Sequence, residues 1–181
     1  MSVSDSEMYE QGSKACIQYS QLTLDTRRFG QQTLLAYLVG LCIALTKQDA
    51  WSPSYIPFVL GIGGLVLIAF AAGLWLLNYH YSASFQVIRD NSLIQLENSD
   101  SGITGPWTAH KAERENKWFW TYLAWHAPFL VMIDVGLASL FLSIHYKTGG
   151  WDQFWIFGAV VIIEFASVAW RSHSWKSRSM A

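Results

Sequence analysis

The sequence predicts an all-α integral membrane protein, four transmembrane helices in one domain of 181 residues with helical extensions on the cytoplasmic side. Three observations carry that reading. Apolar residues make up 52% of the chain and charged ones only 14%, against about a quarter in an ordinary soluble domain. Four apolar stretches reach the roughly 18–20 residues that cross a bilayer. Lysine and arginine divide very unequally between the two sides those stretches define.

The second stretch, 56–77, is the clearest. It reads IPFVLGIGGLVLIAFAAGLWLL and carries no charge. The third, 119–144, is longer and contains His126 and Asp134. The fourth, 151–170, contains Glu164. The first is the weakest, because its apolar core, 33–45, is too short alone. Counted over 29–47 it reaches roughly 28 Å at 1.5 Å per residue, which just suffices.

Basic residues set the orientation. Lys14, Arg27, Arg28, Arg89, Lys111, Arg114, Lys117, Arg171, Lys176 and Arg178 fall on one side, and only Lys47 and Lys147 on the other. Ten against two places both termini and the loop 78–118 in the cytoplasm, as in a multi-pass protein of the cell's inner membrane. Without the first span, Arg27 and Arg28 would lie on the wrong side. Tryptophans mark the same boundaries: Trp51, Trp151 and Trp155 outside, Trp75, Trp118, Trp120, Trp170 and Trp175 inside. An indole wants apolar contact on one edge and water at its N–H. The first thirty residues lack the apolar core of a cleavable signal peptide.

The parts outside the membrane read as helical over about 6–28, 78–97 and 107–118. Ser4 and Glu7 are spaced as a capping box. Tyr9, Cys16, Tyr19 and Thr23 then recur on one stripe. Beyond the second span, NYHYSASFQVIRDNSLIQLE has no glycine or proline, so the helix is expected to continue until Asn98-Ser99-Asp100-Ser101-Gly102 and Gly105-Pro106 break it. Tyr81, Phe85 and Ile88 share a face with little else to cover it, which makes them candidates for a homo-oligomer interface. After the turn Thr108 is placed to cap a polar helix. Lys111, Arg114 and Lys117 lie three apart, facing either anionic lipid headgroups or simply water. Gly61, Gly64 and the Ala69–Gly73 pair in the second span, and Gly40 and Ala44 in the first, permit close helix approach.

Two stretches, YSQLTLDTRRFGQQTLLAYLVG entering the first span and LLNYHYSASFQVIRDNSLIQLE leaving the second, together with this layout, resemble the RipA-like octameric bacterial membrane proteins. The resemblance covers most of the first hundred residues. It implies a ring-like assembly with cytoplasmic helices and no assigned chemistry.

His126, Asp134 and Glu164 are the residues most in need of a reason, since ionisable groups inside a bilayer are costly. Counted from the short outer loop, Asp134 lies about 15 Å deep and Glu164 roughly 20 Å, with His126 deeper. Glu164 is thus placed to bond either of the others across the hairpin, or the same groups in a neighbouring subunit. Three readings stand: protonated or paired links between helices, the lining of a pore or proton route, and a metal or catalytic site. Spacing disfavours the third, because no HExxH or paired-histidine pattern occurs. Pro128 frees a carbonyl near His126 and is a candidate kink. No cofactor or metal motif is present, and the glycines of 61–64 lie in an apolar span unsuited to phosphate. The net charge of −1 and the few scattered basic residues give no nucleic-acid face. Cys16 and Cys42 read as two reduced thiols. The expectation is a non-enzymatic oligomeric membrane protein, a scaffold or channel-like assembly. The alternative is a small transporter or proton or cation channel using the carboxylates, and an integral membrane enzyme comes third.

The orientation has a direct test. Cysteines introduced at Asp49 and Gly149 are expected to react with an impermeant maleimide added to intact cells. Cysteines at Thr104 and Arg178 should react only after the cells are opened, and outside labelling of position 178 would overturn the topology.

Overall fold

The computed structural model describes residues 4–46, 55–99, 103–116, 118–150, 155–164 and 166–167; the side chains of 113–124 lie outside that description. The described residues are all-helical: α1 Asp5–Thr46, α2 Tyr55–Glu97, α3 Trp107–Asn116, α4 Trp118–Thr148 and α5 Trp155–Glu164. Helices α1, α2 and α4 are each long and apolar enough to cross a membrane. The described part of the expected fourth span is α5. Its 10 residues reach about 15 Å, half of a hydrocarbon core. Among the described residues, then, three helices are long and apolar enough for a full crossing, where four spans are expected from the sequence.

Helix α1 starts at a capping box. Ser4 Oγ accepts from the Glu7 amide and Glu7 Oε2 from the Ser4 amide, both at 3.3 Å. It then runs 42 residues without proline. At 1.5 Å per residue that is about 63 Å, twice the hydrocarbon thickness, so half of it must lie outside the bilayer. Helix α2 has 43 residues and the same surplus. The two run antiparallel in one register. Gly12 sits beside Leu93, the Cys16 thiol faces the Phe85 carbonyl, Arg27 meets Asn78 and Gly30 packs beside Leu74. Near its end α2 opens into a π-turn, Arg89–Leu93. The extra residue of that wider turn lets both Arg89 and Leu93 point into the α1 contact, where both are buried.

The extramembrane ends of α1 and α2 share a small core of Cys16, Phe85 and Leu93, flanked by Tyr9, Tyr19, Ile88 and Trp107. This corrects one premise. Phe85 is only 7% exposed, Ile88 is half-buried against the same core, and the Tyr81 ring lies 6.3 Å from that of Tyr19. The stripe expected to be uncovered is covered within its own chain by α1.

A second correction concerns the start of α3. Its cap is Glu97, the last residue of α2, not Thr108. The Glu97 carboxylate accepts from the amides of Trp107 (3.0 Å) and Thr108 (2.8 Å), from the Thr108 hydroxyl (2.7 Å) and from the Tyr9 hydroxyl (2.7 Å). One side chain thereby ties α1, α2 and α3 together, and the Trp107 indole adds a bond to Ser13 Oγ at 3.2 Å. Of the three basic residues assigned to this segment, Lys111 is half-buried on α3, while the side chains of Arg114 and Lys117 lie outside the described residues.

Within the spans, Leu67, Ala71 and Leu74 of α2 enclose Phe129 and Met132 of α4, with Leu34 and Tyr37 of α1 packed alongside. The α2–α4 crossing is set at Gly64 and Gly136. A Cβ on Gly64 would come within 2.5 Å of the Gly136 carbonyl oxygen, so only glycine allows these backbones to meet. Gly61 faces Ser143, whereas a Cβ at Gly40 or Gly73 would meet nothing within 4 Å. Proline-free continuity is not required everywhere: Pro128 sits inside α4.

The Glu97 clamp has a pH signature. Burial acts to raise its carboxyl, but the four hydrogen bonds it accepts outweigh burial and hold it below the usual glutamate value of 4.5. Burial, then the bond to Glu97, pushes the Tyr9 phenol up to about 12, so it stays a donor. A depressed carboxyl stabilises the fold above its ordinary value and loses that contribution as pH falls through the lowered one. Glu97→Ala is therefore expected to cost about 1 kcal/mol, the usual effect of losing a helix cap. Proteolysis within 98–106 should accelerate at neutral pH, and wild type should approach the variant only in acid. Equal cleavage of the two proteins at pH 7 would show that the clamp stabilises nothing.

Candidate intramembrane site

The hairpin that carries the acidic residues begins at the end of α4. Gly149 adopts φ of +69°, the left-handed conformation that ends a helix, and its amide bonds to the His145 carbonyl at 2.8 Å. His145 Nδ1 lies 3.0 Å from the Gly150 carbonyl, which fixes the turn. Helix α5 then returns along α4, with Phe157 edge-on to Phe141 at 5.6 Å between ring centres.

This return sets the Glu164 carboxyl beside that of Asp134, close enough for the two to interact. Among the partners the sequence left open for Glu164, the one beside it in the structure is Asp134. Ionised carboxylates only accept, so a bond between two of them requires a proton on one. The pair therefore brings two carboxyls from two helices together. One further acceptor is available, because Asp134 Oδ1 is buried and has no hydrogen-bond partner among the described residues.

His126 is spent elsewhere. The Trp75 indole donates to its Nδ1 at 2.7 Å, with the rings edge-to-face at 5.8 Å. That bond joins α2 to α4 and satisfies an indole that the sequence reading sent toward interfacial water. Trp155 is exposed, as an interfacial indole would be; the side chains of Trp51, Trp118, Trp120, Trp151, Trp170 and Trp175 lie outside the described residues. Residue His173 lies outside them as well, and His80 and His110 are exposed.

Several polar residues of this layer were passed over in the sequence. Tyr37 of α1 donates to Ser139 Oγ at 2.8 Å, and Ser139 donates to the Val135 carbonyl at 2.9 Å. Ser143 donates to the Pro57 carbonyl, linking the outer ends of α2 and α4. The signal was present: Ser139 and Ser143 are one turn apart on the helix that carries Asp134. Their partners were not visible, because a carbonyl such as that of Pro57 leaves no mark in a sequence. Asn78, Ser82 and Arg89 are likewise buried along the α2 face toward α1, each with one atom lacking a partner among the described residues.

Other chemistry finds little support. No group of three or more histidine, cysteine, aspartate or glutamate side chains converges on a metal position among the described residues. Cys16 is buried. Burial pushes its thiol up to about 11 despite the nearby Arg89 charge, so it is protonated and unreactive at neutral pH. Cys42 is exposed on the spanning half of α1. No family model, curated protein or solved structure matches the chain.

A protonated acid reachable from lipid reacts with hydrophobic carbodiimides. Purified protein in nanodiscs at pH 7 is expected to take up one such label per chain, at Asp134 or Glu164 by peptide mapping. Labelling that avoids both residues would mean that the pair holds no accessible proton.

Proposed function

We propose that this chain is a non-enzymatic four-span protein of the cell's inner membrane that assembles with copies of itself into a scaffold or channel-like complex. Both termini and the Glu97 platform face the cytoplasm, which puts the ten-residue basic majority on the positive side. One observation carries the self-association. On the halves of α1 and α2 that lie beyond the bilayer, Ile17 is 61% exposed, Leu24 45% and Val87 57%. Ile17 and Leu24 are seven residues apart on one face of α1. Val87 stands at the level of Ile17, since the antiparallel register sets Cys16 beside Phe85 and Gly12 beside Leu93. Large aliphatic side chains in contact with water mark a surface that another protein covers. The resemblance to RipA-like octameric proteins favours a ring of identical subunits as the arrangement that covers it.

A second reading has an observation of its own, the Asp134–Glu164 pair. Two adjacent carboxyls in the membrane, with Asp134 Oδ1 buried and lacking a partner among the described residues, suit a proton or monovalent-cation route along the assembly. In that case Asp134 and Glu164 exchange the ion, and Ser139 and Tyr37 keep the neighbouring helices in place.

Particle mass in nanodiscs separates assembly from packing within one chain. Ile17→Glu with Leu24→Glu is expected to reduce the mass to that of smaller species while membrane insertion is retained; an unchanged mass would reject this face. Asp134→Asn and Glu164→Gln keep the hydrogen bonding and are expected to preserve assembly. Loss of flux in proteoliposomes from both variants would establish the ion route. Wild-type liposomes impermeable under every imposed gradient would leave the scaffold alone.

A further inference from the structure

The geometry points to a binding site for the phosphate of an anionic phospholipid at Arg27, where α1, α2 and α4 meet. Arg27 Nε donates to Asn78 Oδ1 at 3.3 Å, and the guanidinium carbon lies 4.5 Å from the centre of the Trp125 ring. Asn78 is fully buried, so its amide oxygen is a fixed anchor. The aromatic face holds the guanidinium plane by cation–π contact. A guanidinium has five N–H donors in a rigid fork. Only the Nε donor is used here. Both terminal nitrogens are without a hydrogen-bond partner among the described residues, and neither is among the buried, unsatisfied atoms. The ion pairs among the described residues are Lys14–Glu10 and Arg89–Asp90, so no described carboxylate neutralises Arg27.

Depth points to the kind of anion that fits. The bond from Ser143 to the Pro57 carbonyl puts those two residues at one level near the far end of the spans. Arg27, Asn78 and Trp125 share another level by direct contact. Along α2, Pro57 to Asn78 is about 32 Å, and along α4, Trp125 to Ser143 is about 27 Å. These lengths bracket the ~30 Å hydrocarbon thickness. A positive fork with open donors therefore stands at the plane of the headgroups, on the side with the basic majority. Phosphate oxygens match its bidentate geometry. Arg28, the next residue, is exposed and has neither the asparagine anchor nor the aromatic plate. This inference needs the long helices to cross a bilayer and does not need the chain to assemble.

Native mass spectrometry of the full-length protein, equilibrated with phosphatidylglycerol or phosphatidylcholine, tests it. Wild type is expected to retain phosphatidylglycerol preferentially. Arg27→Gln should lower that retention at least tenfold and Arg28→Gln by less than twofold. Arg27→Lys, which keeps the charge without the fork, should lose several-fold. Asn78→Asp, which supplies an internal carboxylate to the same fork, should lose as much as Arg27→Gln and guards against misfolding of that variant. Equal losses from Arg27→Gln and Arg28→Gln would mean diffuse charge attraction and overturn the site, as would full retention by Arg27→Gln or Asn78→Asp. Displacement of the lipid by millimolar inorganic phosphate would reassign the site to free phosphate. A fall in particle mass with unchanged lipid retention in Arg27→Gln would reassign it to a carboxylate of a second copy.

Discussion

A helix of 42 or 43 residues is about 64 Å long, and the hydrocarbon of a bilayer is about 30 Å thick. Helices α1 and α2 thus have to pack against each other in two solvents in succession. In lipid the drive is close fit, because apolar side chains gain nothing by leaving apolar surroundings. In water it is burial of apolar surface. The rest of the architecture follows from this change of solvent along one helix pair. The spanning half is closed by glycine contact and a few buried bonds, the outer half by an apolar core and a charged clamp.

The distribution of polar partners reflects the same division. In the spanning layer three hydrogen bonds among the described residues tie α4 to another helix: Trp75 to His126, Tyr37 to Ser139 and Ser143 to the Pro57 carbonyl. No water is present in hydrocarbon to serve as a substitute, so each of these groups needs a protein partner. Outside, Glu97 gathers four donors from two other segments, and its charge is kept because water and those donors both solvate it. Arg27 lies at the boundary between the two regimes. It is held by one buried amide and one aromatic ring, and it retains donors that neither side of the protein satisfies.

Much of the helical layout was legible because helices write themselves locally. The Ser4–Glu7 box, the absence of proline from 5 to 46 and the unbroken run from 78 to 97 are short-range facts, and the structure has a helix at each. Burial was less legible. Tyr81, Phe85 and Ile88 do form a stripe, but periodicity reveals that a face is apolar and not which neighbour covers it. The cover is Cys16 and Tyr19, some seventy residues away in the chain. The cap of α3 was missed for a related reason. A capping carboxylate ten residues upstream obeys no local spacing rule, and Thr108 fits the local rule better.

Sequence alone determined that this chain is helical, that several segments are long and apolar enough to cross a membrane, and that His126, Asp134 and Glu164 need partners there. Those results depend on composition and on residues within a few turns of one another. The tertiary structure decided the partners: Glu164 for Asp134, Trp75 for His126, and Asn78 with Trp125 around Arg27. Each choice depends on which helices touch and at what register, and that register is fixed by contacts such as Gly64 on Gly136, where two backbones meet because neither residue has a side chain.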